Sequence, residues 1–535
     1  MLFTSESPAI KWFTDAFTQK HISFTDLKIH TKALSTVFYN HYGVRQGDVI
    51  VVYSHNSIWY PVIALAAVRI GAIACGVSPD YTVDELTYAL RLTKTKLLCA
   101  GEDTVRKACE GAAICALPSE SILRLNPAED ALKSIEDLLK MGAQLKDGDF
   151  VPQFRIPQGK SNREICAYLC LSSGTTGLPK AVMISHANII AQCLQVQQIT
   201  PQDHDKIVAA LPFYHITGIV HEVHLPIVIN ANAFVLSKYS LDSLLDTVSR
   251  HRIKELLIVP PILIRLVQDT KAVSKYDLTH VRRFSSGAAP LPQEILDLLE
   301  RKFPNTGFKQ GYGMTESCSA ITSHPPSKYA YQYANRVGML VGSTEAKIID
   351  PNTGKACGVG EAGEIWTRGP QVTMGYLKNP TATAEAYDSE GFLHTGDIGH
   401  FDEEGLLSIT DRIKDMIKVK GIGVAPAELE DLLLGHPAVS DVAVCRIPDL
   451  RAGERPKAFV VLRHSENLSA VEAGKAIISY TKTKKARHKW IAEVEFVDAI
   501  PKSPAGKILR RKLQERSEGS SNNIIVRDIE SKAKL

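Results

Sequence analysis

The 535 residues exceed what one ordinary core supports, at roughly 100–200 residues per domain, so the chain reads as several packing units. Apolar residues at 44% and charged residues at 22% are those of a globular chain and exclude global disorder or a fibrous repeat. Lys plus Arg number 62 against 58 Asp plus Glu, and this net +4 offers no bulk field for nucleic acid, so any phosphate recognition has to be local.

The start, MLFTSESPAIKWF, carries Glu6 where a secretory signal has a basic flank, and no export is predicted. Residues 48–54 read as a buried strand and 57–71 as a helix. Within 58–77, the most apolar stretch, Pro61 and Arg69 favour a buried helix running into a strand over a membrane span. Helices at 83–93, 186–197, 241–251, 261–269 and 292–303 alternate with strands at 96–100, 206–211, 255–259, 282–286 and 307–310. That alternation predicts α/β layers with mostly parallel sheets. From 343 to 375 short β runs separated by Gly predict a small β subdomain. After the strand LLSIT come a helix from 426, strands at 441–447 and 456–463, a helix at 468–484 and a strand at 491–497, which predict a separate, smaller α+β domain. Residues 514–535 are polar and rich in breakers and read as a flexible tail. The ten cysteines are scattered, with no C-x-x-C pair, and read as free thiols in a reducing compartment.

One segment concentrates chemistry. In YLCLSSGTTGLPK (168–180), Ser172, Ser173, Gly174, Thr175, Thr176 and Gly177 follow an apolar strand and lead to Lys180. Such a loop presents backbone N–H groups and hydroxyls with no bulky side chain in the way, which suits a polyphosphate. It is not a Walker A loop, because Lys180 is not followed by Ser or Thr. Alone, such a loop is more often just a turn, and Lys180 more often a solvated lysine. The H-E-V-H of His221 and His224 does not have the zincin spacing, and no zinc is assigned.

The nine-residue string SSGTTGLPK resembles the adenylate-forming superfamily of acyl-CoA synthetases, peptide-synthetase adenylation domains and luciferases. LPFYHITG (211–218), SSGAAPLP (285–292), QGYGMTES (310–317), GEIWTRGP (363–370), HTGDIG (394–399), DRIKDMIKVKG (411–421) and PKSPAGK (501–507) follow in the superfamily's order. SGAAPLP and KVKGIGVAPAELE are most like coumarate-CoA-ligase-like enzymes. The resemblance implies ATP-dependent activation of a carboxylate to an acyl adenylate with release of pyrophosphate, then displacement of AMP by the thiol of coenzyme A. It also implies an N-terminal AMP-binding domain (1–411), a hinge (412–414) and a mobile C-terminal domain (415–513) ahead of the tail (514–535).

By the same resemblance, the phosphate loop and Lys180 hold the β- and γ-phosphates. Thr315 and Glu316 contact the α-phosphate, with Glu316 the ligand to Mg²⁺. Gly287, Ala288, Ala289, Gly311, Tyr312 and Gly313 line the adenine slot, while Asp397 and Arg412 take the ribose. Lys507 bridges the carboxylate and the α-phosphate in the transition state, and His215 gates the acyl carboxylate and then clears a path for the thiol. Lys414 is the hinge about which the small domain swings, and Lys420 and Gly421 belong to the face presented for thioester formation. The acyl pocket is expected around 216–222, 284–288, 311–318 and 337–341, with Thr217, His221, Ser286 and Ser317 in its wall.

Three positions depart from the family pattern: Gly423 where many members have Gln, Ala181 where the phosphate loop usually continues with Gly, and Thr217 where hydroxycinnamate-using relatives commonly place an aromatic. The expected substrate is a medium-chain or aryl carboxylic acid. A stand-alone enzyme loading a carrier-protein thiol and a luciferase-like oxygenase share the same motifs and stay open as alternatives. The terminal Ala533-Lys534-Leu535 resembles the peroxisomal import address and predicts an import receptor as partner and a peroxisomal location, otherwise a cytoplasmic one.

Overall fold

The computed structural model describes residues 11–172, 179–287, 291, 293–412, 415–419, 422–449, 452–463, 469–485, 487–502, 508–518 and 524–528. Its first large sheet runs in the order Ile122–Arg124, Thr95–Ala100, Val49–Tyr53, Ile73–Val77, Cys166–Ser172, Lys180–Ser185. All neighbours are parallel except the last pair, a hairpin in which Ser172 faces Lys180. Val49–Tyr53 (VIVVY) is buried at every position, as a central strand covered on both faces must be. The helix Trp59–Arg69 has Pro61 in its first turn and ends before the strand Ile73–Val77. No helix among the described residues is long and apolar enough to cross a membrane.

A second, mixed sheet takes the order Glu255–Leu257, Arg283–Ser286, Gly307–Met314, Ser319–Ser323, Met339–Leu340, and a four-stranded sheet carries His21–Ser23, Trp12–Asp15, Asn232–Val235 and Lys206–Ala209. Helices such as Val83–Thr93 and Leu241–His251 form where expected because each is amphipathic and capped. Thr82 and Glu85 make a reciprocal capping box on the first, and Ser240 and Ser243 on the second.

The β subdomain extends beyond the expected 343–375. Glu345–Ile349, Gly363–Arg368, Leu393–Phe401 and Leu407–Arg412 form one antiparallel sheet, with LLSIT running into its last strand. The strand expected at 307–310 also continues, to Met314, with a register shift between Tyr312 and Gly313. The C-terminal sheet has the order Ile422–Val424, Ile417–Val419, Gly453–Leu462, Glu493–Phe496, Ile525–Arg527, with Val439–Asp449 also on Gly453–Leu462.

The reading of 514–535 as a flexible tail is corrected at two places. Arg510–Glu518 is helical, and Ile525–Arg527 pairs antiparallel with Glu493–Phe496. Val526 is buried against Gly474, where a Cβ would lie 2.6 Å away, and Asp528 is held by Lys482 at 2.8 Å. The β-forming run Ile524–Val526 finds an open sheet edge, which outweighs the breakers before it.

Candidate active site

The phosphate-loop motif leaves the first sheet from Ser172 and returns at Lys180, and these two are opposed in the ladder. Ser173, Gly174, Thr175, Thr176 and Gly177 lie outside the described residues, between two ends that are held together. Ala181, the departure at the loop's exit, is buried in the ladder opposite Leu171, and its carbonyl accepts from Leu377 N–H at 2.8 Å. Its methyl fills the core there, which a Gly would leave short of one packing contact.

Thr315, Glu316 and Ser317 form a single 3₁₀ turn after the QGYGM strand. The Glu316 carboxylate accepts from the Tyr376 hydroxyl at 2.9 Å, and its carbonyl accepts from Thr373 N–H at 3.0 Å. The Lys180 ammonium sits over the Tyr376 ring, 4.8 Å from its centroid. The Ser317 hydroxyl accepts from Met314 N–H at 3.0 Å and faces the carbonyl of Ser319 at 2.9 Å, so it frames the turn that presents Glu316. Among the described residues no group of three or more His, Cys, Asp or Glu side chains could enclose a metal ion. A lone carboxylate beside a phosphate site nevertheless fits Mg²⁺ brought with ATP, because Mg²⁺ takes one or two carboxylates and completes its shell with phosphate oxygens and water.

The nucleotide slot is shaped by backbone. A Cβ on Gly313 would lie 1.6 Å from the Ser319 carbonyl oxygen, so the bulged strand admits only Gly, and one on Gly287 would stand 3.2 Å from the Gly311 carbonyl oxygen. Ala288 and Ala289 fall outside the described residues. On the far side Asp397 is opposite Arg412 in the β-subdomain ladder. The Tyr312 hydroxyl donates to one Asp397 oxygen at 2.7 Å, and Arg412 Nε lies 2.9 Å from the other. Three residues far apart in the chain thus meet on one carboxylate. Each of its oxygens keeps a lone pair for a sugar hydroxyl. The hydroxyl bond from Tyr312 is absent from the sequence reading, and a tyrosine between two glycines was its available signal.

His215 ends a turn whose N–H bonds the Pro212 carbonyl, and its ring lies 4.6 Å from that of Tyr214. Its Nε2 is buried with no hydrogen-bond partner among the described residues, and burial pulls the imidazole down to about 4. Gly218 is required here, since a Cβ would come within 2.2 Å of the Pro212 carbonyl oxygen. From Gly218 to His224 the backbone winds as a π-helix with Thr217 at its start, a local structure that periodicity does not forecast. His221 Nε2 meets Ser319 Oγ at 3.1 Å, while His224 pairs with the Tyr168 hydroxyl at 2.7 Å, so the two histidines diverge. Burial lowers both, His221 to about 3 and His224 to about 4. Between them Glu222 is fully buried, accepts the Leu211 N–H with both oxygens at 3.1 and 3.0 Å, and is raised by burial well above the usual carboxylate range. Ser286 is 2% exposed and its hydroxyl has no partner among the described residues.

At the junction of the two parts, Asp411 accepts from Ala427 N–H at 2.9 Å, tying the last strand of the β subdomain to the first turn of the helix Pro426–Leu434. Lys414, Lys420 and Gly421 lie outside the described residues. Gly423 pairs with Lys418, and a Cβ there would meet Met416 Cε at 2.7 Å, so Met416 occupies the space a longer side chain would take. Lys507 is also outside the described residues, but the ends of its loop are anchored. Lys502 bridges Ile508, Leu509 N–H bonds the Pro501 carbonyl at 2.8 Å, and Arg510 makes two 2.8 Å bonds to the buried Glu430. Burial raises Glu430 to about 7 despite that arginine.

Known proteins are similar to this chain over most of its length. The AMP-binding enzyme family matches residues 4–377, and the AMP-binding enzyme C-terminal domain matches 428–507. The chain is 35% identical over 503 residues to 4-coumarate–CoA ligase-like 2 of Arabidopsis thaliana, covering 94% of this chain and 87% of that protein. It is 34% identical to peroxisomal OPC-8:0-CoA ligase 1 of the same plant, over 94% and 89%. Among solved structures it is similar to ATP-bound MatB from Rhodopseudomonas palustris, at 26% identity and a TM-score of 0.84, covering 97% of this chain and 98% of that one. The chain therefore belongs to the AMP-binding enzyme family, the adenylate-forming enzymes, beside its 4-coumarate–CoA-ligase-like members.

Proposed function

We propose that this protein is an AMP-forming acid–CoA ligase that activates a medium-chain or aryl carboxylic acid with ATP and transfers the acyl group to coenzyme A. The observation that carries the reading is the convergence of Tyr312, Asp397 and Arg412 on one side of the slot with Glu316 and Lys180 on the other. Asp397 accepts the ribose hydroxyls, and its two existing partners hold it at one orientation. The 173–178 loop and Lys180 neutralise the leaving phosphates. Glu316 would hold Mg²⁺, which would supply positive charge to the phosphate groups when bound with ATP. Lys507, from the C-terminal domain, places a further cation between the carboxylate and the α-phosphate. Neutral, desolvated His215 borders the acyl carboxylate and moves aside for the thiol, as the domain turns about 412–414.

Relatives named for 4-coumarate and OPC-8:0 support a ligase acting on aryl or alkyl acids. AMP release measured with and without CoA over a panel of aliphatic and aryl acids tests this. CoA-dependent AMP release with one acid class is expected; AMP release that ignores CoA, or O₂-dependent product formation, overturns it. For location we propose import through Ala533-Lys534-Leu535, which lies outside the described residues, a reading supported by the similarity to peroxisomal OPC-8:0-CoA ligase 1. A fluorescent protein carrying residues 519–535 at its C-terminus should collect in peroxisomes, and the same fusion with Leu535 deleted should stay diffuse.

A further inference from the structure

Segment 373–377 lies between the two charged groups that flank the phosphate site. On one side it adds to the strand that leaves the phosphate loop. Met374 N–H bonds the Met183 carbonyl at 3.0 Å, Met183 N–H bonds the Gly375 carbonyl at 2.9 Å, and Tyr376 is bridged to Val182. On the other side Thr373 N–H holds the Glu316 carbonyl at 3.0 Å. The segment itself is pinned: Tyr376 N–H bonds Thr383 Oγ1 at 3.0 Å, and Gly375 takes a φ of +103° against Thr383, a conformation an L side chain rarely adopts. From this fixed backbone Tyr376 reaches both ways. Its ring underlies Lys180 Nζ and its hydroxyl donates to Glu316 Oε1.

We propose that Tyr376 is a positioning residue that couples the metal-binding carboxylate to the phosphate-binding lysine. It does so by fixing the rotation of Glu316 through its hydroxyl and the height of the Lys180 ammonium through its ring. The inference rests on the ligase reading above, in which Glu316 carries Mg²⁺ and Lys180 meets phosphate. Two chemically separate halves of one side chain then have separable consequences. A carboxylate free to rotate presents its oxygens to a cation in the wrong direction most of the time, so the hydroxyl governs the metal-dependent share of ATP affinity. The ring holds the ammonium whether or not the metal is present.

Calorimetric titration of ATP into the full-length protein, without acid or CoA, in Mg²⁺ and separately in EDTA, reads this without turnover. In Tyr376→Phe, binding in Mg²⁺ should weaken roughly tenfold while binding in EDTA stays as in the wild type. In Tyr376→Leu, binding in EDTA should also weaken, roughly threefold. Tyr387→Phe, whose lost hydroxyl serves Thr373 at 2.9 Å, should leave the ratio of the two affinities unchanged. That ratio is internal to each variant, so a general loosening, which lowers both affinities together, counts against the proposal. An unchanged ratio in Tyr376→Phe, or an equal change in Tyr387→Phe, overturns it. A wild-type protein that binds no ATP, or binds it equally with and without Mg²⁺, overturns the ligase reading instead.

Discussion

The two halves of the site handle charge in opposite ways. On the nucleotide side the charged side chains Asp397, Arg412, Glu316 and Lys180 are aimed by partners: a tyrosine hydroxyl on each carboxylate, a guanidinium on Asp397, an aromatic face under the lysine. On the acyl side His215 precedes a π-helical stretch that carries His221, Glu222 and His224, and burial pushes every one of them towards its neutral form. The difference follows the ligands. A triphosphate is grasped by fixed charges, whereas an acyl chain and an approaching thiol need a wall with none.

The largest effect should come from removing a charge that acts only in the transition state. Lys507→Ala should cost on the order of 10²–10³-fold in acid-dependent pyrophosphate release, because one donor aimed at developing charge is lost. It should spare conversion of a supplied acyl adenylate to the thioester. Equal loss of both steps would take Lys507 out of this role.

Next in size is Asp397→Ala. Loss of charge-assisted bonds to the ribose should raise KM for ATP about 10–100-fold with kcat changed less, and KM for the acid should hold. A comparable rise in both KM values would erase the division between the two sides.

His215→Ala sharpens the division from the other direction. A ring titrating at about 4 is neutral throughout the physiological range, so His215 contributes shape and packing there. The variant should lose about tenfold in kcat/KM for the acid or CoA while KM for ATP stays put. No step assigned to His215 should titrate between pH 6 and 8; an inflection near 6.5 that vanishes in the variant would show a charged imidazole at work.

How much of this was legible in the chain depends on what each feature requires. Repeating apolar periods with caps, as in Val83–Thr93, and all-apolar strands, as in Val49–Tyr53, state their structure locally. Tyr312, Asp397 and Arg412 could be named from motifs, but their meeting depends on a ladder that pairs residue 397 with residue 412 and packs it beside the QGYGM strand. The π-helix at 218–224 carries no period of its own; it is set by Gly218 against the Pro212 carbonyl and by Glu222 reaching back to Leu211. Tyr376 carries no signal in the sequence because a lone tyrosine on an isolated β-bridge, away from the motifs, has no meaning until Lys180 and Glu316 are placed on either side of it. The strand at 525–527 was hidden by its polar surroundings, since a single apolar triplet forms a strand only where an edge is waiting.

The smallest effect falls on stability, and Glu222 isolates it. Its folded pKa lies above the unfolded value, so the folded state binds more protons, and the stability tied to the neutral carboxyl is complete below about 4.5 and is lost as pH rises towards the folded value. The buried histidines run the other way. With folded values of about 4, 3 and 4 against 6.5 unfolded, the contribution of His215, His221 and His224 is complete above 6.5 and is lost as pH falls towards those values. Glu222→Gln retains a carbonyl oxygen to accept the Leu211 N–H and removes the ionisable proton. Its melting midpoint should therefore exceed that of the wild type at pH 8, by about 1 °C for each kcal/mol regained in a chain of this length, with the advantage shrinking towards pH 5. The acid limb, set by the histidines, should not move. An advantage that persists unchanged at pH 5 would mean that Glu222 is already ionised in the folded protein, and that the acyl side, like the nucleotide side, holds a fixed charge.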